Sequence, residues 1–360
     1  MKCLSNLQRL NYPADLVYKI SKLYSFKGKD FYYEDVLKAS LAKKIENTIA
    51  KDTINAVKLL DLKVTDNRVK LIVKSDSEPK TKDETVVANI KKVFQIIQEK
   101  GTDLELTSNE FLMLADKIFR DKKAIRYRSD KVEVRGETLL PEIKNVSMRD
   151  QMDEAIKLYK NNLVMARIEP TQVIANFYID LLHMNCFTDY NEFIALMILY
   201  CLLVSQRFNL FKYISFFEKY DEKKVEFDGA VSSAAHDWEN GFSETRNINS
   251  AIINLMLEGY QEVENMVNTK KFEKGMTKID NVRGAIMHLP GDTFTREDIK
   301  RVAPDLSDST INRALEALKK DGKIELMGGG RSAVWVKKTT DEVLSYANKQ
   351  MSIFEFQQEN

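Results

Sequence analysis

The longest apolar run in the chain, Phe193–Val204 (FIALMILYCLLV), contains no charged residue, no Gly and no Pro. A helix that is hydrophobic all round must be enclosed by protein or by lipid. The run falls well short of the ~20 residues that span a bilayer, so it predicts a central buried helix with others packed around it. Only 13 Gly and 6 Pro occur in 360 residues, and helix interiors exclude both. A mainly α-helical chain is therefore expected. With 44% hydrophobic and 30% charged residues, it has enough apolar material for a real core. At ~100–200 residues per domain, the length suits two or three domains.

Several function classes are excluded early. The net charge of +1 rules out a polybasic binder across the whole chain, though not a local basic patch. Three cysteines, Cys3, Cys186 and Cys201, cannot make a disulfide framework or a four-cysteine zinc site. Three scattered histidines, His183, His236 and His288, argue against histidine-rich metal chemistry. The first residues, MKCLSNLQRLNYPADL, lack the apolar stretch of a secretory signal. A cytoplasmic, reduced protein without a membrane segment is expected. There is no Walker loop, HExxH, CxxC pair or GxSxG.

The pattern along the chain predicts four regions. Residues 1–30 read as an N-terminal helical extension. Residues 31–270 read as a helical domain. It opens on a stripe of Tyr32, Val36, Leu37, Leu41, Ile45, Ile49 and Ile54 that predicts helix over 31–64. The charged, Pro79-containing stretch 75–86 reads as a loop. Helical spacing resumes at 87–100, 108–121, 147–162, 170–184, 191–206, 211–223 and 246–269. Within this domain 124–141 differs: Lys131–Arg135 alternates charged and apolar residues before Gly136, predicting a small β-hairpin flap. The polar stretch 269–277 reads as a linker. Residues 276–338 form a compact unit and 339–360 a tail.

In 276–338 the helices are expected at 279–288, 295–303 and 308–320. KIELMGGGRSAVWVKK follows, two strands around a Gly-rich turn. That is the order of a winged helix-turn-helix. Ile311, Ala314, Leu315 and Leu318 share one face of the third helix. The other face carries Ser309, Arg313, Glu316 and Lys320, with Asn312 beside it. In a helix-turn-helix this face enters the major groove. Arg313 suits guanine N7/O6 and Asn312 suits adenine N6/N7. In the wing, Gly328–Gly330 permits close approach to a phosphate, and Arg331 supplies charge. The unit holds twelve Lys/Arg against nine Asp/Glu, net +3. This modest balance also suits a winged helix used for protein contact or dimerisation. Trp238 and Trp335 read as packing anchors.

The middle of the chain resembles the Fic family, bacterial members with a C-terminal winged helix in particular. That family's motif reads His-Pro-Phe-x-Asp/Glu-Gly-Asn-Gly-Arg-x-x-Arg. Here the segment runs Asn185-Cys186-Phe187-Thr188-Asp189-Tyr190-Asn191-Glu192-Phe193, then Ile194, Ala195 and Leu196; Phe187, Asp189 and Asn191 match. Pro170 and Ala175 are similar to the preceding helix of the family. Arg128–Val132 with Pro141 resembles its flap. Tyr213–Tyr220 and His236–Gly241 resemble the stretch around its Gly-Trp pair. Lys278–Val336 resembles its appended winged helix. The resemblance spans roughly residues 35–338.

The family transfers AMP from ATP to a hydroxyl, and the resemblance implies what each departure removes. The general base is Asn185 here, whose amide cannot take a proton at neutral pH. The glycines of the phosphate-holding turn are Tyr190 and Glu192. The phosphate-pairing arginines are Phe193 and Leu196, and no Lys or Arg occurs from Ile168 to Gln206. Asp189 stands where the family binds Mg²⁺, but one carboxylate without phosphate partners is a poor magnesium site. Ala42-Lys43-Lys44-Ile45-Glu46-Asn47 resembles the family's inhibitory helix, with Ala42 in the Ser/Thr place. Glu46 would be a regulatory remnant, its Arg partner being Leu196. His183 and Cys186 read as structural rather than catalytic. The expectation is a catalytically degenerate Fic-like protein, a DNA-binding regulator or binding module that needs neither Mg²⁺ nor ATP. A protein partner or a homodimer is also in view. The alternatives are an active transferase with a rearranged site, or an antitoxin-like partner of a Fic enzyme.

Overall fold

A computed structural model of the chain describes residues 2–135, 143–165, 168–272, 278–287, 289, 291–304, 306–327 and 334–338. The chain divides into two compact units, residues 1–31 with 41–261, and residues 32–40 with 262–360.

The first unit opens with a 3₁₀ segment, Leu4–Arg9, and α1 (Ala14–Lys27). Then come α2 (Asp30–Leu37, its first residues here), α3 (Leu41–Leu59), α4 (Asp66–Ser75), α5 (Lys82–Lys100) and α6 (Ser108–Phe119). Two strands, β1 (Lys131–Arg135) and β2 (Ile143–Ser147), precede α7 (Met148–Val164) and α8 (Pro170–Met184). The unit continues with α9 (Asn191–Ser205), α10 (Phe216–Glu222), α11 (Lys224–Ala235) and most of α12 (Arg246–Phe272). α8 packs on α7 and α9, and α5 packs on α3, α4 and α6.

The apolar run behaves as its composition requires: every residue from Phe193 to Leu203 on α9 is buried. The expected hairpin is also present. β1 and β2 pair antiparallel from Lys131 opposite Ser147 to Arg135 opposite Ile143. Gly136 and Pro141 lie outside the described residues. Among the described residues, no helix is long and apolar enough to cross a membrane.

Four local expectations need correction. The stripe over 31–64 is two helices, interrupted by a 3₁₀ turn, Lys38–Ser40, where the Ser40 hydroxyl donates to the Leu37 carbonyl at 3.1 Å. The charged stretch 75–86 already contains the first turn of α5. The Thr81 hydroxyl caps the Glu84 N–H at 3.2 Å, and Arg68 pairs with the Glu84 carboxylate at 2.7 Å. The helix read over 211–223 is broken by Ser215, the N-cap of α10. α11 was not anticipated, because only Phe227, Ala230 and Ala234 are buried on it, too few to set a helical period.

Asp52 on α3 ties α10 down from inside the core. Its Oδ1 accepts from the Ser215 hydroxyl at 2.6 Å and the Phe217 N–H at 2.9 Å, while Oδ2 has no partner. Burial pushes its carboxyl up to about 7, although the Ser215 and Phe217 bonds oppose the shift. A carboxyl raised in the folded state stabilises below its unfolded value, and that contribution is lost as pH rises through the folded one. Asp52→Asn keeps an acceptor and removes the charge. Its melting temperature relative to wild type should therefore climb between pH 4 and pH 7. A flat difference across that range in thermal melts would show that Asp52 does not titrate there.

The second unit contains the end of α2, the 3₁₀ turn and the end of α12. It continues with α13 (Lys278–Met287), β3 (Thr293–Phe294), α14 (Arg296–Val302), α15 (Asp308–Lys320), β4 (Ile324–Met327) and β5 (Val334–Lys337). The strands form an antiparallel sheet in the order β3-β5-β4. Its core gathers Val282, Ile286, Phe294, Ile299, Ile311 and Trp335, with Ala314, Leu315 and Leu318 from α15. A capping box, Thr295 with Asp298, starts α14, and the Ser307 hydroxyl caps α15. Residues 273–277, 328–333 and 339–360 lie outside the described residues, so the linker centre, the wing with Arg331, and the tail are not placed.

Candidate functional site

The segment from Asn185 to Glu192 joins α8 to α9. α8 begins at Pro170, where the Glu169 carboxylate accepts from the Thr171 and Gln172 N–H groups. It ends at Asn185, which is left-handed at φ +46° and ψ 51°. Asn is one of the few non-glycine residues that adopt this conformation readily.

The loop that follows is held from two sides. Residues 126–128 run alongside it: the Arg128 N–H donates to the Cys186 carbonyl at 2.9 Å, and the Thr188 N–H donates to the Arg126 carbonyl at 2.9 Å. The Tyr127 and Phe187 rings stack at 5.1 Å. From below, the Asn191 side chain brackets Phe187, accepting from its N–H and donating to its carbonyl, both at 2.8 Å. Phe187 and Asn191 thus fix the loop.

Tyr190 is also left-handed, at φ +53° and ψ 29°, a conformation for which glycine is the default. Its ring lies flat on Phe119 at 4.0 Å and 3°. Phe193 meets Phe119 edge-on at 5.8 Å and leans on Phe217 at 5.9 Å. The strain of a left-handed tyrosine is offset by this packing, aromatic pairs being worth ~0.5–1.5 kcal/mol beyond area burial. Phe193 and Leu196 are both buried and present nothing to an anion. Glu192 is exposed.

Asp189 is engaged locally. Its Oδ1 accepts from the Tyr190 N–H at 2.8 Å and its Oδ2 pairs with Lys123 at 2.5 Å. The Lys123 bond holds the carboxyl below the usual carboxylate range. The sequence around the motif offers no cation, but the structure brings Lys123, Arg126 and Arg128 alongside from α6's following segment. Lys123 is paired with Asp189, and Arg128 pairs with Asp130 at 3.2 Å. No local pattern announces these partners, which lie some sixty residues upstream.

The other candidates fall elsewhere. Burial pushes the Cys186 thiol up to about 12, so it is no nucleophile at neutral pH. His183 stacks on Trp238 at 4.7 Å, and burial lowers its pKa. Glu46 is exposed on α3 and forms no ion pair among the described residues. Among the described residues, no group of three or more His, Cys, Asp or Glu could hold a metal. On α15, Ser309, Arg313 and Lys320 are exposed and Asn312 is half-buried. The Arg313 Nε donates to the Ser309 carbonyl at 3.4 Å.

Sequence reasoning missed Asp180 on α8, which is fully buried. Its Oδ1 accepts from the N–H groups of Lys2 and Cys3 at 3.1 and 3.0 Å and from the Trp238 indole at 2.9 Å. Its Oδ2 accepts from the Leu4 N–H at 3.0 Å. One carboxylate thus pins the N-terminal segment and Trp238 to the helix that leads into the loop.

No family model and no curated protein matches this chain. Solved structures do match. A Fic family protein from Desulfovibrio desulfuricans is 13% identical, with 92% of this chain and 98% of that one covered at a TM-score of 0.51. A Fic domain containing signaling protein from Bacteroides thetaiotaomicron is 14% identical, with 71% and 97% covered, also at 0.51. A Fic-1 segment from C. elegans is 13% identical, with 69% and 71% covered, again at 0.51. The chain has a mainly helical, Fic-like fold.

Proposed function

We propose that this chain is a Fic-fold protein that acts by binding a partner and not by transferring AMP, and that its C-terminal unit is a DNA-binding winged helix. The observation that carries the first part is the Tyr190–Phe119 stack, with Phe193 set edge-on to Phe119 and Leu196 buried. In the Fic motif those positions hold the first glycine and the two arginines. A phosphate nest needs bare N–H groups and cations, and here that space is taken by aromatic rings. Asp189, at the metal-ligand place, is neutralised by Lys123. The second part is supported by the order helix, strand, helix, helix, strand, strand, by the Ser307 cap, and by the exposed Ser309–Arg313–Lys320 face of α15.

Calorimetry with ATP and Mg²⁺ should give no binding heat at a Kd tighter than about 1 mM. Incubation with labelled ATP and Mg²⁺ or Mn²⁺ should label neither the protein nor added targets. Label transfer that disappears in Asp189→Ala would establish a rearranged but active transferase instead.

A further inference from the structure

The buried residues of α15 are Thr310, Ile311, Ala314, Leu315 and Leu318. At about 100° per residue they occupy one side of the helix, and the direction opposite their middle falls between Ser309 and Glu316. The centre of the outward face is therefore a hydroxyl and a carboxylate, with Asn312 and Arg313 on either side. The exposed charges of α15 are Arg313, Lys319 and Lys320 against Asp308 and Glu316. Asp308 stands at the rim of the face and is paired with Lys300 of α14. Glu316 is exposed and forms no hydrogen bond or ion pair among the described residues, although Arg313 and Lys320 lie one turn before and one turn after it.

An unpaired carboxylate at the middle of a DNA-facing surface is repelled by the phosphates. In the groove it also loses water, which is costly without a donor to replace it. The major groove offers two amino donors, adenine N6 and cytosine N4. Adenine sets its N7 acceptor beside the donor, against the second carboxylate oxygen, whereas cytosine shows the donor alone. We infer that Glu316 is a specificity-determining residue that accepts from the N4 amino group of a cytosine beside the guanine read by Arg313. The two residues are about 4.5 Å apart along the helix axis, against about 3.4 Å between base pairs, so they reach neighbouring pairs. The Arg313 Nε turns back to the Ser309 carbonyl at 3.4 Å, which leaves both terminal amino groups for guanine.

Glu316 then works as much against wrong sequences as for the right one. Wherever the groove presents no amino donor, its charge is buried unpaired between phosphates, and binding is penalised. With three cations against two carboxylates exposed on α15, bulk attraction is small, and selectivity falls to the base contacts. This inference rests on the DNA-binding reading above.

The test is selection from a pool of randomised duplexes by the full chain, as wild type, Glu316→Gln and Glu316→Ala, with the enriched sequences read out. Wild type should enrich a guanine with a cytosine in the neighbouring pair. Glutamine pairs with adenine N6 and N7, so Glu316→Gln should replace that cytosine by adenine and leave the guanine in place. Glu316→Ala should show no preference at that position. By anisotropy its affinity for a random-sequence duplex should rise about threefold or more, because one like charge is withdrawn from the phosphates. Both variants should melt at the wild-type temperature, the side chain being exposed and unpaired. Enrichment by wild type with the same base at that position in both variants overturns the role of Glu316 and leaves DNA binding standing. No enrichment by wild type and no binding of duplex by any of the three proteins overturns both.

Discussion

Leu199→Ala should lower the free energy of unfolding by about 2–5 kcal/mol, and Leu203→Ala by a similar amount. Both side chains have no exposed surface. They lie on a helix enclosed on all sides from Phe193 to Leu203, so the cavity left by truncation cannot be filled by solvent-facing neighbours. The loss combines the transfer energy of the missing methyl groups with the cost of the void, and its size within that range depends on how far the site collapses. Leu71 on α4, 44% exposed, is the control: Leu71→Ala should change stability by less than about 0.5 kcal/mol. Urea denaturation followed by circular dichroism separates these outcomes. If Leu199→Ala and Leu203→Ala are as silent as Leu71→Ala, α9 is not the centre of this fold.

Asp180→Ala should cost roughly 3 kcal/mol or more. It removes one acceptor but strands four donors, the N–H groups of Lys2, Cys3 and Leu4 and the Trp238 indole. Each buried donor left without a partner costs ~1–3 kcal/mol. The chain can limit the penalty by releasing the N-terminal segment, which surrenders the burial of Leu4 and Leu7 instead. Two readouts should therefore move together: a lower denaturation midpoint and faster proteolysis within residues 2–9. Asp180→Asn keeps one oxygen and should fall between wild type and Asp180→Ala. A variant with unchanged stability and an intact N-terminus would mean that these hydrogen bonds do not secure the segment.

What could be read from the sequence depended on the range of the forces involved. α9 was legible because enclosure leaves its mark on every residue of the run. α8 and α15, the latter with a clean apolar stripe, were legible because helical periodicity is local. The hairpin was visible in the alternation of Lys131–Arg135. The break at Ser40 was hidden, because the stripe carries on through it in register. The start of α5 was hidden because Asp83 and Glu84 read as loop charges, although acidic residues favour the first turn of a helix. The loop at 185–191 could be read residue by residue, but its surroundings could not. Phe119 beneath Tyr190 and Lys123 beside Asp189 come from a segment about seventy residues away. Asp180 looked like one polar residue in a buried helix, since its partners at Lys2–Leu4 lie at the other end of the unit's chain.

The DNA-binding reading is tested most directly by fluorescence anisotropy with labelled genomic fragments flanking the gene, titrated at several salt concentrations. Binding is expected at low ionic strength and should weaken steeply with salt, as counterion release requires. Arg313→Ala should weaken the preferred site by about 1–3 kcal/mol, roughly 5- to 150-fold, and relax preference at one base pair, as loss of a bidentate guanine contact does. Arg331→Ala should weaken all sequences alike and make the salt slope shallower by about one unit. No salt-sensitive binding to any fragment, or an Arg313→Ala variant indistinguishable from wild type on every sequence, would contradict the account and leave protein contact as the work of the C-terminal unit.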